Sequence, residues 1–174
     1  KHKRHKLPLY EANIEELPFK DAEFDHVNCQ GVVHHTPNIS LALEELARVL
    51  RPGGTGSISV YYENILLRNY GLFRKFYYML SRLGVGLSGR GRETMLESVS
   101  ASEIVRKFDG VENPIGISLS KSEFVSLLSQ YFEVQETYLH FFPARALGRI
   151  PGWLHRVLDR RLGFMIYASV RKPS

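Results

Sequence analysis

Cysteine is almost absent from this sequence, and so are the hydrophobic runs that mark secreted and membrane proteins. The single cysteine, Cys29, excludes an intramolecular disulfide framework and a cysteine-rich zinc site, which is typical of a reducing compartment and predicts a cytoplasmic location. No apolar signal segment stands near Lys1, and no charge-free run approaches the roughly 18 residues that a membrane span needs. We therefore expect neither a signal peptide nor a transmembrane helix.

A basic surface for nucleic acid is also missing, although the net charge is +5 from 23 Lys and Arg against 18 Asp and Glu. The first six residues, KHKRHK, contain four of these cations, which leaves a net charge of only +1 on the other 168 residues. Because the excess lies in one terminal hexapeptide and not along a helix face, we expect no nucleic-acid partner.

What is present is the composition of one packed domain. The 174 residues are 44% hydrophobic, 24% charged and 11% aromatic, which excludes a disordered or low-complexity chain. A chain of this length buries a hydrophobic core without disulfides or metals. We expect a single domain over residues 1–174.

Residues 9–60 have the pattern of an α/β sheet with a crossover helix. Apolar residues recur at helical spacing at Ile39, Leu43, Leu46, Ala47 and Leu50. The sequence predicts a cap at Asn38 or Thr36 and an end at Pro52-Gly53-Gly54. Buried strands are predicted on either side, over Phe24–Val33 and Thr55–Tyr62.

Residues 63–118 interrupt this regular pattern, and we interpret them as an insertion. A helical stretch rich in Leu, Phe and Tyr comes first, and a glycine-rich break follows it. Most of the helix surface is apolar. Such a helix either packs over the sheet or lies at an interface, where it covers a hydrophobic substrate or touches a membrane.

The last third returns to regular structure. The residues Ser120-Lys121-Ser122-Glu123 form a capping-box sequence that predicts the start of a helix. Two β-rich runs, Phe132–Phe142 and Gly163–Arg171, are predicted to pair antiparallel at a sheet edge. A basic amphipathic segment containing Trp153 separates them.

Ligands of open α/β sheets bind beyond the carboxyl ends of the strands, so the candidate site residues lie there. Asn13 and Ile14 offer an amide side chain and a backbone group, or they form an ordinary polar turn. After the first predicted strand, Gly31 permits close approach of a ligand to the backbone.

The adjacent histidines His34 and His35 follow Gly31. Each is either a general base or the donor of a hydrogen bond at the helix entry. No Glu, Asp or Cys at ligand spacing accompanies them, so no metal site is predicted. Cys29, in a buried strand, is expected to fill the core and not to act as a nucleophile.

Three segments together resemble a known family: LPFKDAEFDHV, then GVVHHTPN, then ALEELARVLRPGG. They look like the second half of a class I methyltransferase that depends on S-adenosylmethionine (SAM), in the branch that acts mostly on small molecules. The resemblance is strong over residues 9–62 and weaker over 120–171. It implies a Rossmann-like α/β sheet, mostly parallel with an antiparallel last strand, and a helical substrate-binding cap over residues 63–118.

Carried over residue by residue, the resemblance places SAM contacts on two segments. Asn13 stands where the family usually has an acid that contacts adenine, and Ile14 supplies the neighbouring backbone contact. The backbone of Cys29, Gln30 and Gly31 would face the methionine part of SAM. His34 and His35 would lie near the acceptor. The segment after the strand has no Asn-Pro-Pro-Tyr type sequence, which argues against methylation of a base amine or a glutamine amide.

The family's glycine-rich loop and ribose-binding acid should precede Lys1. The resemblance therefore implies a sheet that is incomplete at the N-terminus, and a truncated, inactive fragment with weak or no SAM binding.

Because SAM carries its own leaving group, the protein need only align the acceptor and, for a hydroxyl or carbon acid, supply a base. Candidate bases are His34, His35, Tyr61 and Tyr62. The acceptor is expected to be a small molecule, and the aromatic and aliphatic cap favours a hydrophobic one. Two other functions stay open, a catalytically dead methyltransferase-like scaffold and a module that binds a partner or a membrane surface.

Overall fold

The fold is taken from a computed structural model that describes residues 8–82, 100–108, 114–142 and 151–174. The basic run at Lys1–Lys6, the glycine-rich break and the segment containing Arg145 and Arg149 lie outside the described residues. None of the described helices is long and apolar enough to cross a membrane.

Five strands form one mixed sheet, in the order β1-β2-β5-β4, with a short β3 paired to the end of β2. Their bounds are β1 Phe24–Gln30, β2 Leu50–Tyr62, β3 Ser118–Leu119, β4 Glu133–His140 and β5 Met165–Arg171. Strands β1 and β2 are parallel, whereas β5 runs antiparallel to both β2 and β4. The predicted α/β class, with an antiparallel last strand, is confirmed.

In the described ranges, six helices accompany the sheet: α1 Ile39–Val49, α2 Ile65–Arg68, α3 Tyr70–Arg82, α4 Ala101–Phe108, α5 Lys121–Leu128 and α6 Gly152–Leu162. Two predicted caps are confirmed. Asn38 accepts hydrogen bonds from the amides of Ser40 and Leu41, and Ser120 and Glu123 form the capping box of α5.

Three predicted boundaries were wrong. Strand β1 ends at Gln30 and not at Val33, because Gly31 has a φ of +72° and Val33–His35 form a 3-10 turn. Helix α1 ends at Val49, before the Pro-Gly-Gly sequence, and Leu50 already has extended backbone. Strand β2 includes Pro52, which is tolerated because the pairing with β1 is irregular there.

The main core lies between one face of the sheet and helices α1 and α5. Side chains that alternate along the strands point into it, including Val27 and Cys29 of β1 and Ile58 and Val60 of β2, and they pack with Leu43, Leu46, Phe124 and Leu128 from the helices. The other face of β1 carries polar residues, His26, Asn28 and Gln30, which are exposed. Alternation of this kind is typical of a strand with one wet face.

A second apolar cluster lies at the carboxyl end of β2 and joins the region 63–118 to the sheet. It comprises Tyr61, Leu67, Tyr70, Ile104, Val105, Phe164 and Met165. Leu67 and Tyr70 are buried there, while Leu72, Tyr78 and Met79 of α3 are exposed. The aromatic helix therefore packs on the sheet at its start and leaves part of its apolar surface uncovered by the described residues.

Candidate functional site

The carboxyl end of β1 presents an open glycine turn. Gly31 adopts the left-handed backbone conformation that only glycine takes without strain, and a Cβ atom built there would meet no atom within 4 Å. Its amide donates hydrogen bonds to the Ser59 hydroxyl at 3.0 Å and to the Ser59 carbonyl at 3.3 Å. The backbone of Gly31 is thus hydrogen-bonded to β2, while the space that a side chain at this position would fill is open.

The two residues before this turn have different surroundings. Gln30 is exposed, and its side-chain amide donates to the Ser57 hydroxyl at 3.0 Å. Cys29 is buried in the core, and this burial raises the pKa of its thiol to about 11. A thiol with such a pKa stays protonated at neutral pH, so the side chain of Cys29 fills the core.

Asn13 begins a tight turn in the loop before β1. Its side-chain oxygen accepts a hydrogen bond from the Glu15 amide at 3.0 Å, and its carbonyl accepts from the Glu16 amide at 3.0 Å. Asn13 itself is exposed, whereas Ile14 is half-buried and packs against the core. The side-chain oxygen of Asn13 still has a second lone pair with which to accept.

The structure brings this loop to the segment after β1. Glu15 Oε1 accepts a hydrogen bond at 2.7 Å from the backbone amide of Asn38, the residue that caps α1. The loop that contains Asn13 and Ile14 is therefore bonded to the start of α1, the helix that follows the segment 29–31, and this contact was not predicted from the sequence.

Arg48 and Glu45 of α1 bind the continuation of this loop at Leu17 and Phe19. The Arg48 guanidinium donates to the carbonyls of Leu17 and Phe19 at 3.0 and 2.8 Å, and Glu45 accepts from the Leu17 amide at 2.7 Å. The hydrogen bond from Arg48 lowers the pKa of the Glu45 carboxyl. Sequence analysis missed this anchor. Two opposite charges at an i, i+3 spacing near the end of α1 were the available signal.

His34 and His35 have unlike environments. His34 is 1% exposed, and its ring lies 4.2 Å from that of Tyr61 and 4.1 Å from that of His35, centroid to centroid. His35 is half-buried, and its Nδ1 lies 2.7 Å from the carbonyl of Ile115. A carbonyl only accepts, so Nδ1 carries the proton and the lone pair of the neutral ring is on Nε2.

The region 63–118 reaches these histidines with its last residues. The Ile117 amide donates to the His34 carbonyl at 3.1 Å, and β3 then pairs with Tyr61 and Tyr62 at the end of β2. Tyr61 is 3% exposed, and Tyr62 is half-buried. His34, His35 and Tyr61 form one group, while Tyr62, its neighbour in sequence, faces the opposite side of the sheet.

A separate cleft of about 830 Å³ lies beside the carboxyl end of β4. It is lined by Tyr138 and His140 of β4 and by Asp159 of α6, among other residues. His140 Nδ1 is hydrogen-bonded to Asp159 Oδ2. The sequence analysis did not identify this pair, because the two residues lie 19 positions apart and no spacing rule connects them.

Known proteins resemble this chain in two ways, in the sequence of its first segment and in its fold. Residues 1–58 match the family model described as a methyltransferase domain. The ubiquinone/menaquinone biosynthesis C-methyltransferase of Brucella anthropi is 48% identical over 48 residues, which are 28% of this chain and 18% of that protein. A demethylmenaquinone methyltransferase of Geobacillus stearothermophilus is 33% identical over 107 residues, 61% of this chain and 44% of that one. These matches thus span less than half of either relative.

Solved structures share the fold at low identity. A SAM-dependent methyltransferase of Thermotoga maritima superposes with a TM-score of 0.55 at 17% identity, over 92% of this chain and 62% of that one. One from Mesorhizobium loti also gives 0.55, at 14% identity, over 92% and 67%. The chain is therefore similar to methyltransferase domains over residues 1–58, and its sheet has the fold of SAM-dependent methyltransferases of known structure.

Proposed function

We propose that the protein transfers the methyl group of SAM to a small-molecule acceptor, by O- or C-methylation. The observation that carries this proposal is the open turn at Gly31, which stands at the carboxyl end of β1 in a sheet of methyltransferase order. Such an edge is where ligands of open α/β sheets bind. The names of the Brucella and Geobacillus relatives support an acceptor of the small-molecule class.

The residues proposed to hold SAM fit that ligand. Left-handed Gly31, with open space in place of a side chain, lets a ligand approach the backbone of residues 29–31. The exposed amide of Asn13 can accept from an amino group, and the neighbouring Ile14 backbone offers a second polar contact. SAM supplies an electrophilic methyl group on a sulfonium leaving group. The protein's part is to orient the acceptor and to exclude water.

For an acceptor that loses a proton, we propose His35 as the base and His34 as its support. The Ile115 carbonyl fixes the His35 proton on Nδ1, which leaves Nε2 as the basic atom. His34 is buried, and its ring lies against the ring of Tyr61. The two histidines are therefore proposed to have different roles. His35→Ala should reduce the turnover of such an acceptor and should leave most of the protein's stability intact.

The resemblance also leads us to propose that residues before Lys1 complete the SAM site. The glycine-rich loop and the ribose-binding acid of the family are expected there. On this proposal residues 63–118 act as the acceptor cap, and their exposed Leu72, Tyr78 and Met79 favour a hydrophobic acceptor. SAM binding by the 174-residue chain alone is then weak, and the chain alone is inactive.

A second candidate function, binding to a membrane surface, is favoured by helix α6. Trp153 is 63% exposed and Val157 46% exposed, one helical turn apart, with Arg156 and Arg160 beside them. An apolar stripe flanked by cations is the pattern of a helix that lies in the headgroup layer. Co-sedimentation with vesicles containing anionic lipid tests it, with Trp153→Ala as the variant. Loss of sedimentation in that variant supports this function, and no sedimentation by either form excludes it.

The methyl-transfer proposal is tested by calorimetric titration with S-adenosylhomocysteine, the product form of SAM. The chain extended by about 50 residues before Lys1, enough for one more βαβ unit, is compared with the 174-residue chain. Binding by the extended form supports the proposal. Binding by neither form contradicts it and favours a scaffold without a cofactor.

A further inference from the structure

We propose that the cleft beside the carboxyl end of β4 binds a ring-bearing, weakly acidic hydroxyl group, a phenol or an enol, and that His140 accepts its proton. The cleft measures about 830 Å³, within the range of small-ligand sites. This site goes beyond the proposed SAM site, because β2 and β5 stand between β4 and β1. Three strand spacings separate the two strands, about 14 Å.

The geometry gives His140 the tautomer of a proton acceptor. Its Nδ1 is hydrogen-bonded to the Asp159 carboxylate, which only accepts, so the proton is on Nδ1 and the lone pair is on Nε2. The Asp159 side chain is 12% exposed, whereas that of His140 is 58% exposed. The buried carboxylate thus orients an imidazole that is open to the cleft.

One further hydrogen bond and two backbone features surround this pair. The second carboxylate oxygen of Asp159 accepts a hydrogen bond from the Phe142 amide at 2.7 Å. Phe141, directly after His140, has a φ of +69°, a conformation that costs a non-glycine residue about 1 kcal/mol or more. A Cβ atom on Gly163 would lie 2.7 Å from the His140 backbone and 2.6 Å from the Asp159 carbonyl. Only glycine lets helix α6 and strand β4 approach this closely.

Aromatic rings beside His140 favour a ligand with a ring. Tyr138 of β4 and Tyr167 of β5 are stacked, with centroids 5.2 Å apart and planes within 6°. His140 lies 6.2 Å from the Tyr167 ring, centroid to centroid. Burial, together with the neighbouring Tyr138 and Asp159, raises the pKa of Tyr167, so its hydroxyl stays neutral near pH 7. Tyr138 lines the cleft, and a flat ligand can lie against its ring with the ligand hydroxyl at His140.

The charges lining the cleft favour the ionised ligand. Among the described residues these are Lys121 of α5, Arg160 and Asp159 of α6 and Glu136 of β4, two of each sign. Besides His140, the other titratable groups of the lining are Tyr62 of β2 and Tyr138 of β4. With neutral His140 the lining is therefore neutral overall. When the ligand O–H bond breaks, its proton goes to His140 Nε2 and the electron pair stays on the oxygen. The lining then carries one positive charge, which attracts the anion.

The experiment uses 4-nitrophenol, whose phenolate absorbs visible light while the neutral form does not. Adding the protein near neutral pH should increase phenolate absorbance to saturation. In His140→Gln the increase should be lost. In Asp159→Asn, affinity for the phenolate should fall about tenfold or more, because the asparagine NH₂ can donate to Nδ1 and move the ring proton to Nε2. The matched control is His155→Gln. His155 lies on α6, the helix that carries Asp159, but it does not line the cleft.

A second measurement does not depend on the fold of any variant. Nitrogen-15 NMR of the wild-type imidazoles should show neutral His140 with its proton on Nδ1. A proton on Nε2 overturns the proposal. So does the absence of any phenolate signal with the wild-type protein, or a signal that persists in His140→Gln.

Discussion

The Ser59 hydroxyl accepts a hydrogen bond from the Gly31 amide at 3.0 Å and so fixes the open end of β1 to the centre of the sheet. Ser59 is fully buried, and it is the register partner of Tyr167 in the antiparallel pairing of β2 with β5. Ser59 therefore stands between the proposed SAM edge at Gly31 and the stacked rings of Tyr138 and Tyr167.

We expect Ser59→Ala to destabilise the protein by about 1 kcal/mol, because the part-buried Gly31 amide loses its hydrogen bond to the Ser59 hydroxyl. The free energy of unfolding in urea measures this. Ser57→Ala is the matched control, since Ser57 is only half-buried and bonds to the exposed Gln30 side chain. Equal losses in the two variants would contradict the supporting role of Ser59.

Gly31→Ala should cost about 1–2 kcal/mol of stability, because the left-handed backbone at this position strains any residue with a Cβ atom. No neighbouring atom would clash with it, so the cost is conformational and not steric. Gly71→Ala in α3 is the control. It also enters open space, but at a helical position where alanine is favoured by about 1 kcal/mol. If Gly71→Ala lowered the free energy of unfolding and Gly31→Ala did not, this expectation would be contradicted.

The stability should depend on pH through Glu45. Arg48 lowers the pKa of Glu45 in the folded protein, so its ionised form stabilises the fold above the ordinary glutamate pKa of about 4.3. This contribution is lost as the pH falls through the lowered folded value. Unfolding measured from pH 6 to pH 3 should therefore show a smaller loss in Glu45→Gln than in the wild type. Parallel curves for the two proteins would show that the pair does not contribute.

His34→Ala and His35→Ala should differ in kind. Removing the fully buried ring of His34 leaves a cavity beside Tyr61, which costs about 2–4 kcal/mol. Removing His35 should cost less, since that ring is half-buried. Thermal unfolding separates the two effects. A smaller loss of stability for His34→Ala than for His35→Ala would reverse the roles proposed for them.

The elements that local patterns specify were predicted, whereas contacts between distant segments were not. The Ser120 capping box and the Asn38 cap are both set by residues within four positions, and both were confirmed. The end of β1 was placed three residues too late because Val32 and Val33 continue an apolar run past Gly31. Periodicity does not register a single left-handed glycine.

The candidate site shows the same division. The residues at strand ends were predictable, because the edge of a parallel sheet is where loops meet. The contact from Glu15 to Asn38 spans 23 positions and that from His140 to Asp159 spans 19. Both depend on how a loop or a helix packs after the chain has turned, and nothing in a single sequence fixes that pairing.

The central claim is that this sheet edge belongs to a SAM site, and calorimetric titration with S-adenosylhomocysteine tests it most directly. The account predicts that the form extended by about 50 residues before Lys1 binds with measurable heat. Gly31→Val in that form should bind more weakly, because its side chain would occupy the space beside the backbone. No binding by the extended form, or equal affinity with valine at position 31, would contradict the account.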